Sequence, residues 1–242
     1  LIKRVILTSS AVTLIPIQWV SSSDTETVFT GSLYLHPIFL QTLILYPERD
    51  INSNPTRPFH SAMEAYWASK ALTRIASKNF MTDNMPSFEL INLLPSVVIG
   101  PDPLSMSVET LMSGTRALAL GQVLGNKQDP LVGVQVHVAD VARAHIDALA
   151  PSVPGNAEYI LTSDTPAGIE WDSVKEVVET HFPGELAAGR LSLQYPMPTR
   201  PFKIDASATE KAFGWKFRNY AETMQGLIGQ YLELSGKPPV ST

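Results

Sequence analysis

At 242 residues, 44% hydrophobic and 17% charged, the chain has material for one sizeable core and too little for two comfortable domains, so residues 1–242 are expected to form a single unit. A net charge of −5 with scattered basic residues excludes an electrostatic footprint for nucleic acid. The complete absence of cysteine excludes a disulfide framework, thiolate metal sites and a cysteine nucleophile, and suits a reducing, cytoplasmic setting.

In chain order, Lys3-Arg4 runs straight into Val5-Ile6-Leu7, a strand that begins abruptly and without a signal-peptide pattern, as in a chain entered midway. That short branched run, ending in Thr8-Ser9-Ser10, predicts a strand buried on both faces of a parallel sheet. The most apolar stretch, 32–46, is interrupted by His36, Pro37 and Gln41 and is short for a bilayer crossing, so no membrane span is expected. Residues 61–80 carry helical spacing, with Ser61 as N-cap and Glu64 three residues on in a capping-box arrangement. A second buried strand is expected over 88–99, with Pro95 marking where pairing stops.

Beyond Gly100-Pro101 the pattern predicts a helix over 108–120, a strand over 131–138, and a helix over 140–149 capped by Asp140. A strand over 159–162, an amphipathic helix over 171–181 and a last helix over 220–234 follow, ahead of a frayed tail at 236–242. Strand and helix alternate, which points to an α/β fold with a parallel sheet.

Tyr66 and Lys70 lie four apart on the predicted helix and project from one face. An ammonium beside a phenol favours the phenolate, which suits a general acid or base. Ser10, at the tip of a parallel strand, sits where such folds present ligand contacts, and its hydroxyl can hydrogen-bond a carbonyl oxygen that is gaining charge. Taken alone the Tyr/Lys pair reads more simply as a half-buried tyrosine and a solvated lysine; its weight comes from context. The five histidines show no metal-ligand spacing, and no metal is expected. Met106, Met112 and Phe202 read as core ahead of pocket.

TSSAV, YWASK, LLPSVVIGP and VHVADVARAH occur here in that order. In order and rough spacing they resemble the extended short-chain dehydrogenases/reductases of the NAD-dependent epimerase/dehydratase superfamily, within it the dihydroflavonol-reductase, cinnamoyl-reductase and aldehyde-reductase group. The resemblance covers nearly the whole chain. It implies a partial Rossmann-like parallel sheet with helices and a small C-terminal substrate-binding lobe. It implies Ser10 as the catalytic hydroxyl, Tyr66 as proton donor, and Lys70 as the group that binds the nicotinamide ribose and favours the phenolate. Pro95, Ser96, Val97 and Val98 resemble the loop that packs on the nicotinamide and bonds its carboxamide through the backbone; for Pro95 the strand-terminator reading is compatible. His137 resembles a structural residue with a local hydrogen bond beside the Asp140 cap. Residues 204–217 resemble a closing helix, with Asp205 or Ser207 as cap and Gly214 at its end.

The implied cofactor is NADP or NAD, with NADP favoured by the resemblance, and the implied substrate is a small carbonyl compound or alcohol. Two departures stand beside this. No Gly-x-Gly-x-x-Gly turn occurs, so the glycine-rich N-terminal half of a nucleotide-binding unit is expected to be missing. Residues 31–49 read as an insertion, with intrinsic β-structure or a lid over the substrate as the rival explanation. Exposed sheet edge in such a chain favours self-association. Three functions therefore stay open: a reductase of ketones or aldehydes, a catalytically silent remnant or interaction module, and a nucleotide-sugar epimerase or dehydratase.

Overall fold

A computed structural model describes residues 2–15, 28–30 and 58–236. The expected insertion at 31–49, the apolar stretch at 32–46 and the tail beyond Gly236 lie outside the described residues. Strand β1 (Arg4–Thr8) leads into a single 3-10 turn (Ala11–Thr13), and β2 (Val28–Thr30) is a short separate strand. Helix α1 (Ala62–Asn84) is followed by β3 (Glu89–Pro95) and β4 (Val98–Ile99). In the principal sheet β3 lies between β1 and β7 (Ala157–Leu161), and every pairing is parallel. The α/β expectation with a parallel sheet holds.

Register explains which face meets which helix. Leu7, Asn92 and Glu158 are cross-strand partners, so their side chains share one face, and Asn92 reaches Ser77 of α1 across it. The intervening residues, among them Leu93 and Tyr159, point the other way. There the Tyr159 ring meets Phe213 edge-on at 5.0 Å. Burial pushes the Tyr159 hydroxyl up to about 12. Helix α1 starts as expected at Ser61, whose hydroxyl accepts from Glu64 N at 3.1 Å, but the Glu64 carboxylate takes the N–H of His60 in place of that of Ser61. Pro95 is the last residue of β3, and Ser96 N–H donates to Leu161 O at 2.9 Å as the chain leaves the sheet.

The helix expected over 108–120 is two helices, α2 (Val108–Leu111) and α3 (Gly114–Gly121). Gly114 has φ +57, which a continuing right-handed helix does not allow, and the Leu111 carbonyl accepts from Ser113 N–H at 2.9 Å and from the Arg116 guanidinium at 3.0 Å. The strand expected over 131–138 is likewise broken, into β5 (Leu131–Val132) and β6 (Val136–His137), which pairs with β4. At Gly133 three backbones converge: its N–H donates to Arg200 O and its carbonyl accepts from Ile169. A Cβ on Gly168, where φ is +80, would lie 2.6 Å from Gly133 O and 2.7 Å from Phe202 O. Gly168→Ala is expected to destabilise the protein by about 1–3 kcal/mol, seen as a lower urea midpoint at unchanged slope.

The cap of the next helix also differs from expectation. Helix α4 (Val138–Asp147) begins two residues before Asp140 and is capped by His137, whose Nδ1 accepts from Ala139 N at 3.0 Å. Asp140, in the first turn, accepts the Arg218 N–H at 2.8 Å and pairs with its guanidinium. The imidazole can accept at Nδ1 only when that nitrogen is unprotonated. Burial, and next the Arg218 charge, hold its pKa below the usual 6.5. In the unfolded chain the imidazole binds its proton at a higher pH than in the fold, so this stability is full above the unfolded value and is lost as pH falls through the folded one. Denaturant midpoints should therefore drop on acidification below about pH 6.5, and His137→Asn, a cap that does not titrate, should flatten that dependence.

A 3-10 turn (Trp171–Ser173) precedes α5 (Val174–His181) and α6 (Pro183–Ala187), followed by β8 (Thr199–Arg200), which pairs with β5. In place of one closing helix over 204–217 the chain forms β9 (Lys203–Asp205), paired with β2, and α7 (Ser207–Phe213). Asp205 accepts Ser207 N at 2.8 Å, and Gly214 ends the helix at φ +76. Helix α8 (Tyr220–Ser235) closes the described chain.

Buried side chains form two clusters, one around the principal sheet and a second joining Ile99, α2, α3, α5 and α8. Trp171, fully buried, anchors the second: its indole donates to Val132 O at 2.7 Å and its carbonyl accepts from the Tyr220 hydroxyl. Phe202 is core, as expected, whereas Met106 is 74% exposed. Among the described residues no helix is long and apolar enough to cross a membrane.

Candidate active site

The carboxyl ends of β1 and β3 lie side by side, since Thr8 is in register with Leu93 and Ser9 N–H donates to Leu93 O at 2.7 Å. Ser10 leaves the end of β1 as N-cap of the 3-10 turn, buried, with its Oγ accepting from Val12 N at 3.3 Å. A hydroxyl that accepts at a cap keeps its own hydrogen to donate. Against this turn packs α1. Lys70 reaches back from the helix and its Nζ donates to Thr8 O at 3.2 Å, two residues before Ser10. The fold thus brings the Lys70 ammonium to the strand end that presents Ser10.

Tyr66, one helical turn before Lys70, is 43% exposed, and its hydroxyl makes no hydrogen bond among the described residues. An open hollow lined by Pro58, Phe59, Ser61 and Ala65 lies at the first turns of α1, next to it in the chain. The Tyr66 hydroxyl is neither buried in the core nor locked in a structural bond, as a proton-transferring group requires.

The segment after β3 is more firmly engaged than its sequence suggests. Ser96 N–H is held by Leu161 O, Val97 O accepts from Val136 N at 3.0 Å, and Val98 O accepts from the Thr115 hydroxyl. The side chains of Val97 and Val98 pack against the buried clusters. One polar atom in this segment stands out: Ser96 Oγ is buried and has no hydrogen-bond partner among the described residues. A buried hydroxyl left unpaired costs free energy and calls for a reason.

The sequence reading missed Arg74 and Glu158, a buried ion pair between α1 and β7. The available signal was a charge placed at a helical interval on an apolar helix face, with another inside the apolar run AEYIL. His137 does not join the site; its ring packs on Gly100 and caps α4. Among the described residues no group of three His, Cys, Asp or Glu side chains is placed to hold a metal ion.

No family model matches the sequence. Among curated proteins the chain is similar to ketoreductase CTB6 of Cercospora nicotianae, with 33% identity over 185 residues that span 74% of this chain and 52% of that protein. Among solved structures it resembles yeast methylglyoxal/isovaleraldehyde reductase Gre2 complexed with NADPH, at 23% identity and a TM-score of 0.69 over 97% of this chain and 65% of that one. Alfalfa vestitone reductase follows the same fold at 21% identity and a TM-score of 0.61, covering 96% of this chain and 66% of that one. The chain belongs to the extended short-chain dehydrogenases/reductases. Within that family this chain spans about half the length of the curated relatives it matches.

Proposed function

We propose that this chain carries the reacting residues of an NAD(P)H-dependent reductase of ketones or aldehydes. The observation that supports the reading most is the Lys70 ammonium held at Thr8 O, which joins the exposed Tyr66 helix to the strand end that presents Ser10. Ser10 donates its hydroxyl hydrogen to the substrate oxygen and orients it. Tyr66 delivers its phenolic proton to that oxygen as the carbonyl becomes an alcohol, and the Lys70 ammonium stabilises the phenolate left behind until solvent reprotonates it. The cofactor, when bound, supplies the hydride that adds to the carbonyl carbon.

The residues fit the nicotinamide-ribose end of such a cofactor. Lys70 has three N–H donors and spends one on Thr8 O, leaving others for ribose hydroxyls. Ser96 Oγ is an orphaned buried group in the loop assigned to the carboxamide, beside Pro95, Val97 and Val98. NADP is the preferred form, by analogy with yeast Gre2, whose name is NADPH-dependent methylglyoxal reductase and whose solved structure is a complex with NADPH. The second apolar cluster serves as the small C-terminal substrate-binding lobe, and residues 31–49 as an insertion.

The rival reading is a catalytically silent or purely interacting chain. An epimerase or dehydratase of nucleotide sugars would use the same Ser/Tyr/Lys set, but no sugar-nucleotide pattern is recognisable in the sequence. Steady-state assays of NADPH consumption against small aldehydes and ketones separate these readings. Saturable, carbonyl-dependent oxidation of NADPH is expected; a folded protein that consumes none with any carbonyl, alone or with the upstream half of a relative supplied in trans, contradicts the proposal.

A further inference from the structure

Arg74 extends the ridge of α1 that carries Tyr66 and Lys70 by one more turn. It is 2% exposed, and the Glu158 side chain opposite it on β7 has no exposure at all. The guanidinium forms a two-pronged fork, with Nε donating to Glu158 Oε1 at 2.6 Å and Nη2 to Oε2. Its remaining arm, Nη1, lies 3.5 Å from Thr13 O and 3.4 Å from Thr13 Oγ1, and the Thr13 hydroxyl itself donates to Ser10 O at 2.8 Å. One buried cation thus touches the helix of Tyr66, the strand β7 and the turn that begins at Ser10. We infer that Arg74, locked by Glu158, is a positioning residue that holds the Tyr66 and Lys70 helix in register with the Ser10 turn, an inference that rests on the proposed reductase reading for its catalytic meaning.

Geometry distinguishes this role from that of Lys70. The Lys70 contact to Thr8 O is a single-point attachment about which a helix can roll. A planar guanidinium gripped at two points by a carboxylate resists both roll and axial slide. A roll of about 10° displaces an atom about 8 Å from a helix axis by roughly 1.4 Å. A misplacement of about 1 Å is enough to cost on the order of a hundredfold in rate. Lys78 Nζ, 3.3 Å from Glu158 Oε2, adds positive charge to the carboxylate from the flank of the helix but lacks the fork. Buried ion pairs contribute little net stability beside an apolar pair of similar volume, so the selective value of this one lies in orientation.

The test uses the 242-residue chain and the double variant Arg74→Met/Glu158→Leu, which removes fork and charge together, with Arg74→Lys beside it, which keeps a charge but loses the fork. Three quantities are read: melting temperature, kcat and KM for a carbonyl substrate with NADPH, and amide hydrogen exchange at Val12 and Thr13. The double variant is expected to melt close to wild type yet lose at least about tenfold in kcat at unchanged carbonyl KM, with faster exchange at Val12 and Thr13 and unchanged exchange in β3. Arg74→Lys is expected to show the same kcat loss without rescue. It also supplies the same readouts if the double variant does not fold. A stable variant with wild-type kcat and wild-type exchange at the Ser10 turn overturns the inference. If the wild-type chain itself shows no turnover, the reductase reading fails separately, and the exchange at Val12 and Thr13 alone decides whether Arg74 holds the turn.

Discussion

Tyr66→Phe should lower turnover by about 10²–10⁴-fold, the range over which a positioned proton donor contributes, and leave the melting temperature essentially unchanged. Both halves of that expectation come from one environment. Tyr66 is 43% exposed and its hydroxyl has no hydrogen-bond partner among the described residues, so deleting the oxygen strands no buried group. The ring stays, and α1 keeps its Ser61 cap and its Lys70 attachment to β1. Turnover of the variant measured against its thermal melt separates chemistry from folding, and an active, fully folded Tyr66→Phe protein would remove tyrosine from the proton-transfer role.

The second large effect falls on stability. Arg74→Ala leaves the Glu158 carboxylate buried beneath α1 without its bidentate partner, and breaking one side of such a pair costs about 3–5 kcal/mol. Lys78 offers only partial relief. Its own pKa is lowered because burial disfavours its charged form, with Glu158 opposing that shift, so the lysine is already an expensive cation at this position. Urea unfolding of Arg74→Ala should show a midpoint well below that of Arg74→Met/Glu158→Leu, although the double variant loses more native groups. Equal midpoints would mean that the buried carboxylate finds other compensation.

Much of this fold is legible in the sequence because the signals are local. A branched apolar run ending in Thr8-Ser9-Ser10, and Ser61 ahead of an alanine-rich periodic segment, mark β1 and α1 on propensity and capping alone. The errors cluster where distant backbone decides. Residues 131–138 read as one strand because every residue suits a strand; the break at Gly133 arises from Ile169 and Arg200, which no window around it contains. His137 and Asp140 are both competent caps, and the choice went to His137 because Arg218, far along the chain, claims the aspartate. The pairing of β2 with β9 is equally non-local, between three-residue strands too short to carry a periodicity.

The candidate site divides along the same line. Tyr66 and Lys70 are readable from their spacing on one helix. That Lys70 would turn to the end of β1, and that Arg74 would be gripped from β7, depends on the sheet order β1-β3-β7, which sets the strands beneath α1. Ser96 could be named as a loop residue, but its buried, unpartnered Oγ is a property of the folded loop.

The central claim, that these residues serve a nicotinamide cofactor, is tested most directly by titrating the purified chain with NADPH and following its melting temperature and cofactor fluorescence. A saturable rise is predicted, corresponding to about 2.7 kcal/mol at a hundred times the dissociation constant, weaker in Lys70→Met and with NADH. A folded sample whose melting temperature and fluorescence do not respond to NADPH or NADH at any concentration would contradict the account.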